Sequence, residues 1–230
     1  MDNEEYIEIK NAAIIEPDSS LKKINIKLNR LFIKEYPGGK SHTILFNFYT
    51  ENKIEKIDRK EKVHFNQIYQ IQNEGSAPID GVQIFNNLNL DQMGLIFKFT
   101  SINVKDEKDQ TFLKTLNSNT IKMGIGLLSI IQPAISIIAE FVINIGRAIL
   151  NNRNKNRRVQ EYEFGLYLDN SSDTYKLSKG SYVIVQVPEG TIWDWGQWIY
   201  VPHLRRILRK SEYSSKKEVI PFNYFVLGVD

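Results

Sequence analysis

One long apolar segment, residues 123–150, constrains the fold of this chain more than any other feature. It reads MGIGLLSIIQPAISIIAEFVINIGRAIL, whereas the rest of the chain consists of short runs in which apolar and polar residues alternate. On a helix with about 100° per residue, its polar side chains recur every three or four positions and form one narrow stripe. The remaining helix surface is apolar, so this helix needs a protein core, a subunit interface or lipid around it.

Two features argue against a simple membrane span for this segment. Its uncharged part, residues 123–139, is 17 residues long and lies between Lys122 and Glu140. That length is at the lower limit of the roughly 17–25 residues of a spanning helix. Pro133 can kink the helix or divide it into two. The sequence therefore predicts an inserted apolar helix or helical hairpin that packs in a core, in an oligomer interface or against a membrane.

The polar stripe and its continuation supply candidate contacts with a partner. Glu140 and Arg147 lie two turns apart on the stripe, and Ile137 and Phe141 are candidate apolar contacts. A basic cluster follows, where a juxtamembrane segment would meet anionic headgroups. It consists of Arg153, Lys155, Arg157 and Arg158. We expect this surface to bind an anionic membrane or a protein partner and to support a homo-oligomer.

The rest of the chain has the alternation of β-strands. The spacing predicts strands at residues 5–10, 22–35, 43–50, 62–71, 94–104, 160–168, 174–178, 181–187, 191–200 and 219–229. Residues 79–90 are ambiguous. Short strands at this spacing are typical of a sandwich or barrel. The prediction is a mainly β protein: one antiparallel β-sandwich domain over residues 1–230, with a helical insertion at residues 106–158.

Two strand patterns make sharper predictions. In residues 22–35 the apolar positions change from even to odd numbers, which predicts a bulge near residues 30–32. A second phase shift is expected within residues 94–104, before Ile102. The run SYVIVQV at residues 181–187 is apolar on both parities, which predicts a strand buried on both faces.

Three tryptophans lie close together at Trp193, Trp195 and Trp198. In a regular strand the first two share a face and the third takes the other, unless a bulge at the intervening glycine brings all three together. Tryptophan clusters occur at membrane interfaces, on sugar-stacking platforms and in cores. On a sugar platform, Asp194 and Gln197 would be the polar partners.

Basic residues also cluster near the end of the chain. Residues 203–210 are predicted to form a short basic helix on which Arg205, Arg206 and Arg209 share a face. Such a face binds phosphate, lipid headgroups, nucleic acid or an acidic partner, or is simply solvated.

Motifs of catalysis and of metal binding are missing from the sequence. The run Gly38 to Ser41 resembles the end of a phosphate-binding loop but lacks the first glycine and precedes a strand. The three histidines have no metal-ligand spacing, and the chain has no cysteine. Acidic residues gather in three loops, at residues 106–109, at Asp169 with Asp173, and at Asp58 with Glu61, where converging carboxylates could bind calcium. We predict a non-enzymatic protein with no cofactor and no resident metal.

Charge and the first residues indicate partner and location. The chain has 30 basic and 27 acidic residues, for a net charge of +3, so no nucleic-acid partner is expected. The first ten residues, MDNEEYIEIK, lack the basic and apolar regions of a secretory signal. We therefore expect a cytoplasmic protein that can associate with membranes.

Part of the strand pattern is shared with a known family. A strand at residues 24–33, a Gly-Gly turn, a strand at residues 44–48 and a strand at residues 95–104 run into the acidic stretch of residues 106–109. This arrangement, within residues 21–114, resembles a C2-type β-sandwich. The resemblance implies docking to membranes or proteins through loops, with calcium in some members. The chain lacks the paired Asp-x-Asp of that family's loop.

The sequence thus favours a non-enzymatic docking protein that associates with membranes or assembles through its apolar helix and basic patches, including in a pore-forming or host-defence role. One alternative is a soluble structural or interaction subunit whose helix is buried in an oligomer. A second is a carbohydrate-binding β-sandwich module that uses the tryptophan cluster.

Overall fold

A computed structural model describes residues 6–37, 39–54, 59–90, 92–105, 157–171, 174–188, 191–204, 206–215 and 220–230. The inserted helix or hairpin predicted for residues 123–150 lies outside these residues. The described strands are β1 (Ile7–Glu8), β2 (Lys23–Ile33), β3 (Ser41–Ile54), β4 (Arg59–Gln72), β5 (Gly75–Ser76), β6 (Val82–Asn89), β7 (Gly94–Asn103), β8 (Arg157–Tyr167), β9 (Gly180–Val185), β10 (Trp198–Val201), β11 (Arg206–Arg209) and β12 (Tyr224–Val229). Short 3-10 helices occupy Trp195–Gln197, Pro202–Leu204 and Lys210–Glu212.

The strands form three antiparallel sheets. The first contains four strands in the order β4-β3-β7-β8, and the second contains five, in the order β5-β2-β12-β9 with β6 also paired to β2. The third is small, with the order β1-β10-β11. The predicted mainly β, antiparallel class is confirmed.

The two larger sheets pack face to face on one hydrophobic core. The four-stranded sheet contributes the alternate inward residues of its strands, among them Phe46, Phe48 and Phe99, and the five-stranded sheet contributes residues such as Ile26 and Phe225. Phe99 packs against Phe225 with ring centroids 4.7 Å apart. The apolar residues of the alternating pattern therefore face one another between two sheets, in a sandwich-like packing.

The small sheet adds a third layer on the outer face of the five-stranded sheet. Trp198 of β10 and Ile207 of β11 pack against Phe32, Tyr224 and Val226. The opposite face of the small sheet is also covered, since a separate cluster buries its other side chains. The five-stranded sheet consequently has apolar layers on both sides.

β12 is the strand buried on both faces, and the prediction of this role for residues 181–187 is wrong. Every residue of β12 is buried. Phe225 and Leu227 point into the sandwich core, whereas Tyr224 and Val226 point into the contact with the small sheet. β9 (Gly180–Val185) does have apolar neighbours on both faces, but it is the edge strand and its last four residues are only half-buried.

The predicted bulge in the second strand is confirmed, one residue earlier than expected. Leu28 pairs with Leu227 and Arg30 pairs with Val226, so Asn29 is the extra residue. Its side chain crosses β12 at Gly228 and donates a hydrogen bond to the Ser181 Oγ at 3.5 Å. A Cβ at Gly228 would lie 2.9 Å from Asn29 Nδ2, so a larger residue there would require the Asn29 side chain to shift.

Other strand predictions need correction. β7 pairs with β3 in unbroken register, so Ile102 lies on the opposite face without a phase shift. The irregularity lies in the neighbouring strand β8, between its pairings with Ser101 and Ile102. Residues 174–178 form only a bridge at Lys176 rather than a strand. Residues 191–194 are irregular and residues 195–197 form a 3-10 helix, because the Asp194 side chain caps that turn.

We expect Phe225→Ala to lower the free energy of unfolding by about 3–5 kcal/mol, because it leaves a cavity between the two sheets. Phe225 is fully buried and its ring contacts those of Phe48, Phe99 and Tyr162. Urea denaturation followed by circular dichroism measures the change. Met93→Ala, at a side chain that is 62% exposed, is the control and should change stability little. Equal stability of the two variants would contradict this packing.

Candidate functional site

The tryptophan cluster forms where the chain enters β10 from the preceding loop. Asp194 Oδ1 accepts a hydrogen bond from the Gly196 N–H at 2.9 Å, and its Oδ2 accepts one from the Gln197 side chain at 3.2 Å. This cap starts the 3-10 turn of Trp195–Gln197, after which Trp198 is the first residue of β10. Side chains from the two sides of this turn meet, since Trp193 packs against Trp198.

All three tryptophans are in one cluster. Trp193 stacks on Trp198 with centroids 5.0 Å apart and planes within 9°. Trp195 meets Trp193 edge-on at 5.6 Å and 80°. The prediction that a regular strand places Trp198 on the face opposite Trp193 and Trp195 is therefore wrong. The alternative, in which all three tryptophans come together, is correct, although a 3-10 turn rather than a bulge produces it.

Two further side chains complete the cluster. Phe222 lies 5.8 Å from Trp193, and the Arg209 guanidinium lies over the Trp198 ring at 5.5 Å. Arg209 reaches this position because it is the cross-strand partner of Trp198, which places both side chains on one face of the small sheet. A guanidinium over an indole contributes about 0.5–2 kcal/mol, depending on desolvation.

Exposure increases from the base of the cluster to its rim. Trp198 is buried, Trp193 and Trp195 are half-buried, and Ile192 is 95% exposed. The Trp193 indole nitrogen is buried with no hydrogen-bond partner among the described residues. Leaving such a donor unpaired costs about 1–3 kcal/mol, so ring packing rather than hydrogen bonding holds Trp193 in place. The cluster therefore has a buried base at Trp198 and half-buried rings above it, and the adjacent Ile192 is exposed to solvent.

The basic helix predicted for residues 203–210 does not form. Arg206 and Arg209 are the first and last residues of β11, and all four residues of β11 pair with β10, which excludes a helix at residues 206–209. His203 and Leu204 end one 3-10 helix, and Lys210 begins another. In a strand, residues three positions apart point to opposite faces, so these two arginines do not share one. Arg205 lies outside the described residues.

Most of the other predicted contact residues cannot be placed in the fold. The described part of the chain does not include Ile137, Glu140, Phe141, Arg147, Arg153 and Lys155. Arg157 and Arg158 are the first two residues of β8, where they pair with Asn103 and Ile102. Of the predicted surface, the structure therefore brings together the three tryptophans and Arg209.

Most residues of the predicted calcium loops lie outside the described residues. These are residues 106–109, Asp58 and Asp173. Asp169 accepts a hydrogen bond from Thr174 Oγ1 at 3.3 Å. Among the residues that are described, no group of three or more histidine, aspartate or glutamate side chains is placed to hold a metal ion.

Sequence reasoning missed a second cluster, a buried polar network near the start of β3. The Tyr36 hydroxyl hydrogen-bonds Ser101 Oγ at 2.9 Å and donates to Gln160 Oε1. The Gln160 amide nitrogen donates to Gln186 at 3.0 Å, and Asn223 donates to the same Gln186 oxygen at 2.9 Å. The network thus joins β7 and β8 of one sheet to the segments that flank β9 and β12 of the other.

His42 extends this network toward the β2–β3 turn. Its Nε2 lies 2.8 Å from Asn73 Oδ1, and its Nδ1 lies 2.9 Å from Asn103 Nδ2. Asn73 Oδ1 also accepts from the Tyr36 N–H, and Asn103 also donates to the Pro37 carbonyl, so Nε2 donates and Nδ1 accepts. Both ring nitrogens of this buried histidine are occupied by hydrogen bonds, which argues against a role as catalytic base or metal ligand.

The arrangement at His42 and Tyr36 is therefore structural. The sequence did contain a signal for the burial of His42, because His42 alternates in phase with the inward residues Ile44 and Phe46 of β3. Tyr36 carried no such signal, because it lies in a turn beside Pro37. Its burial depends on partners that are distant in sequence.

Comparison with protein-family models, with curated proteins and with solved structures found no match for this chain.

In the described ranges, no helix has the length and apolar character needed to cross a membrane.

We expect Tyr36→Phe to destabilise the protein by about 1–3 kcal/mol, because it leaves the buried Ser101 and Gln160 oxygens without the tyrosine hydroxyl. The ring itself, and its edge contact with His42, would remain. Urea denaturation measures the change, and Tyr175→Phe, at a half-exposed ring, is the matched control. A Tyr36→Phe variant as stable as that control would show that the network contributes nothing.

Stability should fall at alkaline pH. Burial raises the pKa of Tyr36 and Tyr162 well above the ordinary value of 10 and that of Tyr69 to about 12. The folded state therefore holds these protons more tightly than the unfolded state, so the contribution is complete below pH 10 and is lost as pH rises through the folded pKa. Two measurements at pH values from below 10 upward test this prediction: the urea midpoint of unfolding, and the absorbance of tyrosinate at 295 nm. Ionisation of every tyrosine near pH 10 in the folded protein would contradict it.

Proposed function

We propose that this chain is a non-enzymatic docking protein that binds an anionic membrane surface, with the rim of the tryptophan cluster as part of the contact. The observation that carries the proposal is Ile192, which is 95% exposed beside the half-buried rings of Trp193 and Trp195. Single exposed apolar residues are ordinary on protein surfaces. Ile192, however, is next in sequence to a group of aromatic rings that are only half-buried, and apolar side chains grouped in this way can enter the lipid–water boundary.

The chemistry of the rim suits the boundary between lipid and water. Indole rings collect at the headgroup level of bilayers because they are apolar with one polar edge. Arg209 supplies a positive charge at the base of the cluster, where anionic headgroups would interact with it. The neighbouring Asp194 carboxylate has both oxygens engaged by Gly196 and Gln197, which reduces its repulsion of such headgroups.

The sequence adds support from elsewhere in the chain. Residues 123–150 are apolar, and the basic residues at positions 153–158 follow them directly. This order is typical of segments that meet a membrane. The resemblance of residues 21–114 to C2-type sandwiches also favours docking.

Two observations make a sugar platform the weaker candidate. Stacking on a sugar needs an open ring face, whereas Trp198 is buried between Trp193 and Arg209 contacts. Asp194 and Gln197, the expected polar partners of a sugar, are hydrogen-bonded to each other. A protein partner remains the main competing occupant, because tryptophan and arginine are also enriched in interface hot spots.

Liposome flotation tests the proposal. We expect the protein to float with vesicles that contain phosphatidylserine, and Ile192→Asp to weaken this binding roughly tenfold, since burying an isoleucine contributes about 1.5 kcal/mol or more. Ile14→Asp is the matched control, because Ile14 is 76% exposed on a different loop. Trp195→Ala should weaken binding as well.

Two outcomes would overturn membrane docking through this rim. One is wild-type protein that stays in the dense fraction with every vesicle composition. The other is Ile192→Asp that floats as well as Ile14→Asp. Charge reversal at Arg153, Lys155, Arg157 and Arg158 separates the contribution of the basic segment, because it would reduce flotation on anionic vesicles and leave the effect of Ile192→Asp unchanged.

A further inference from the structure

β9 (Gly180–Val185) is an edge strand, and no other described strand pairs with its outer side. Its only strand neighbour in the described part of the chain is β12. Gln186 donates to the Asn223 carbonyl, so the residues in phase with it, Ile184 and Tyr182, also direct their backbone groups to β12. Ser181, Val183 and Val185 therefore direct their N–H and C=O groups away from the sheet.

Other edge strands in the described residues carry features that hinder pairing with another molecule. β8 has a register shift and the charged residues Glu161 and Glu163, and β6 has two register shifts. β4 begins with the charged run RKEK, and β11 has arginine at both ends. β1 and β5 have two residues each. Short length, charge and bulges are the means by which proteins protect sheet edges.

β9 has none of these protections. Its sequence, GSYVIV, contains no charge and no proline, and it pairs with β12 without a register shift. The strand is six residues long. A regular, uncharged and apolar edge of this length is a template for another strand.

Both faces of β9 are incompletely covered. Tyr182 and Ile184 pack at the margin of the sandwich core, and Val183 and Val185 pack at the margin of the contact with the small sheet. All four side chains are half-buried. A strand added here would cover two apolar margins at once, provided that it carries apolar side chains on both of its faces.

We propose that two copies of this chain form a dimer by antiparallel pairing of β9 with β9 of the second copy. A twofold axis at Val183 places Val183 opposite its own equivalent and Ser181 opposite Val185 of the partner. The outward backbone groups of both strands then pair in about six hydrogen bonds. The two five-stranded sheets become one continuous sheet.

A second copy meets the requirements of this edge. Its β9 is uncharged, so no like charges face each other across the pair. It also brings apolar side chains to both faces, where Tyr182 and Ile184 of the two copies adjoin on one side and the valines adjoin on the other. Such a self-complementary contact is the kind that twofold symmetry produces.

Val183→Pro tests this dimer in the full-length chain. The Val183 N–H points away from β12, so proline removes only an outward donor, and an edge strand tolerates proline there. Its preceding residue, Tyr182, is already in the extended conformation that proline requires. We expect wild-type protein to have the mass of a dimer in light scattering after size exclusion, and Val183→Pro to weaken dimerisation by at least about tenfold.

A second variant and two controls keep the test independent of folding. Ser181→Lys changes an exposed side chain and places a lysine opposite Val185 of the partner, so it should also give monomers. Val183→Thr keeps the N–H and the β-branched shape and should remain dimeric. Ile96→Lys, at a half-exposed residue of the interior strand β7, should remain dimeric as well.

Wild-type protein that is monomeric at all concentrations overturns the proposal, as does a Val183→Pro variant that folds and dimerises like wild type. Thermal unfolding of each variant shows whether it folds. The dimer does not depend on membrane docking, and the two proposals can fail separately. We expect Ile192→Asp to reduce flotation without changing the mass in solution, and Ser181→Lys to lower that mass from dimer to monomer.

Discussion

β12 packs apolar side chains on both of its faces, and the arrangement of all three sheets depends on it. It pairs with β2 on one side and with β9 on the other, so it joins β9 to the rest of the five-stranded sheet. Phe225 closes the sandwich core while Tyr224 and Val226 receive the small sheet. Because β2 and β9 are distant from β12 in sequence, these contacts form only after large loops close.

Polar side chains are also buried at one end of the sandwich, and each of them needs a hydrogen-bond partner. Tyr36, His42 and Gln160 meet this need by hydrogen-bonding to one another or to nearby polar side chains, including Ser101 of the four-stranded sheet and Gln186 in the segment that follows β9. An enclosed polar group without a partner costs about 1–3 kcal/mol, so the network ties the β2–β3 turn to the core in one geometry. The same logic explains why His42 offers no free nitrogen for chemistry.

The surfaces that remain available for binding lie at the margins of the middle and small sheets. The tryptophan cluster lies next to an exposed isoleucine, and β9 is an edge of the five-stranded sheet as far as the described residues show. Both arise because the third layer is small: it covers the centre of the five-stranded sheet and leaves apolar side chains half-covered at the border. Docking and self-association can therefore use different residues of one molecule.

Local pattern was sufficient for part of this fold. Alternation along residues 23–33 predicted β2 and the change of parity predicted its bulge, because each inward side chain must be apolar whatever it packs against. The same reasoning misassigned residues 181–187, since apolar residues on both parities show that both faces meet apolar neighbours but not whether another strand lies alongside. It also assigned residues 203–210 to a helix, although pairing with β10 overrides the local spacing of the arginines.

The sequence by itself determined the mainly β class, the inward face of most strands and the proximity of the three tryptophans along the chain. Only the tertiary structure decided that β12 is central and β9 is at the edge, that a capped 3-10 turn stacks Trp193 on Trp198, and that Tyr36 is enclosed. The physical reason is that side-chain periodicity reports one residue's surroundings, whereas strand order and buried polar contacts depend on which distant segments share the same space.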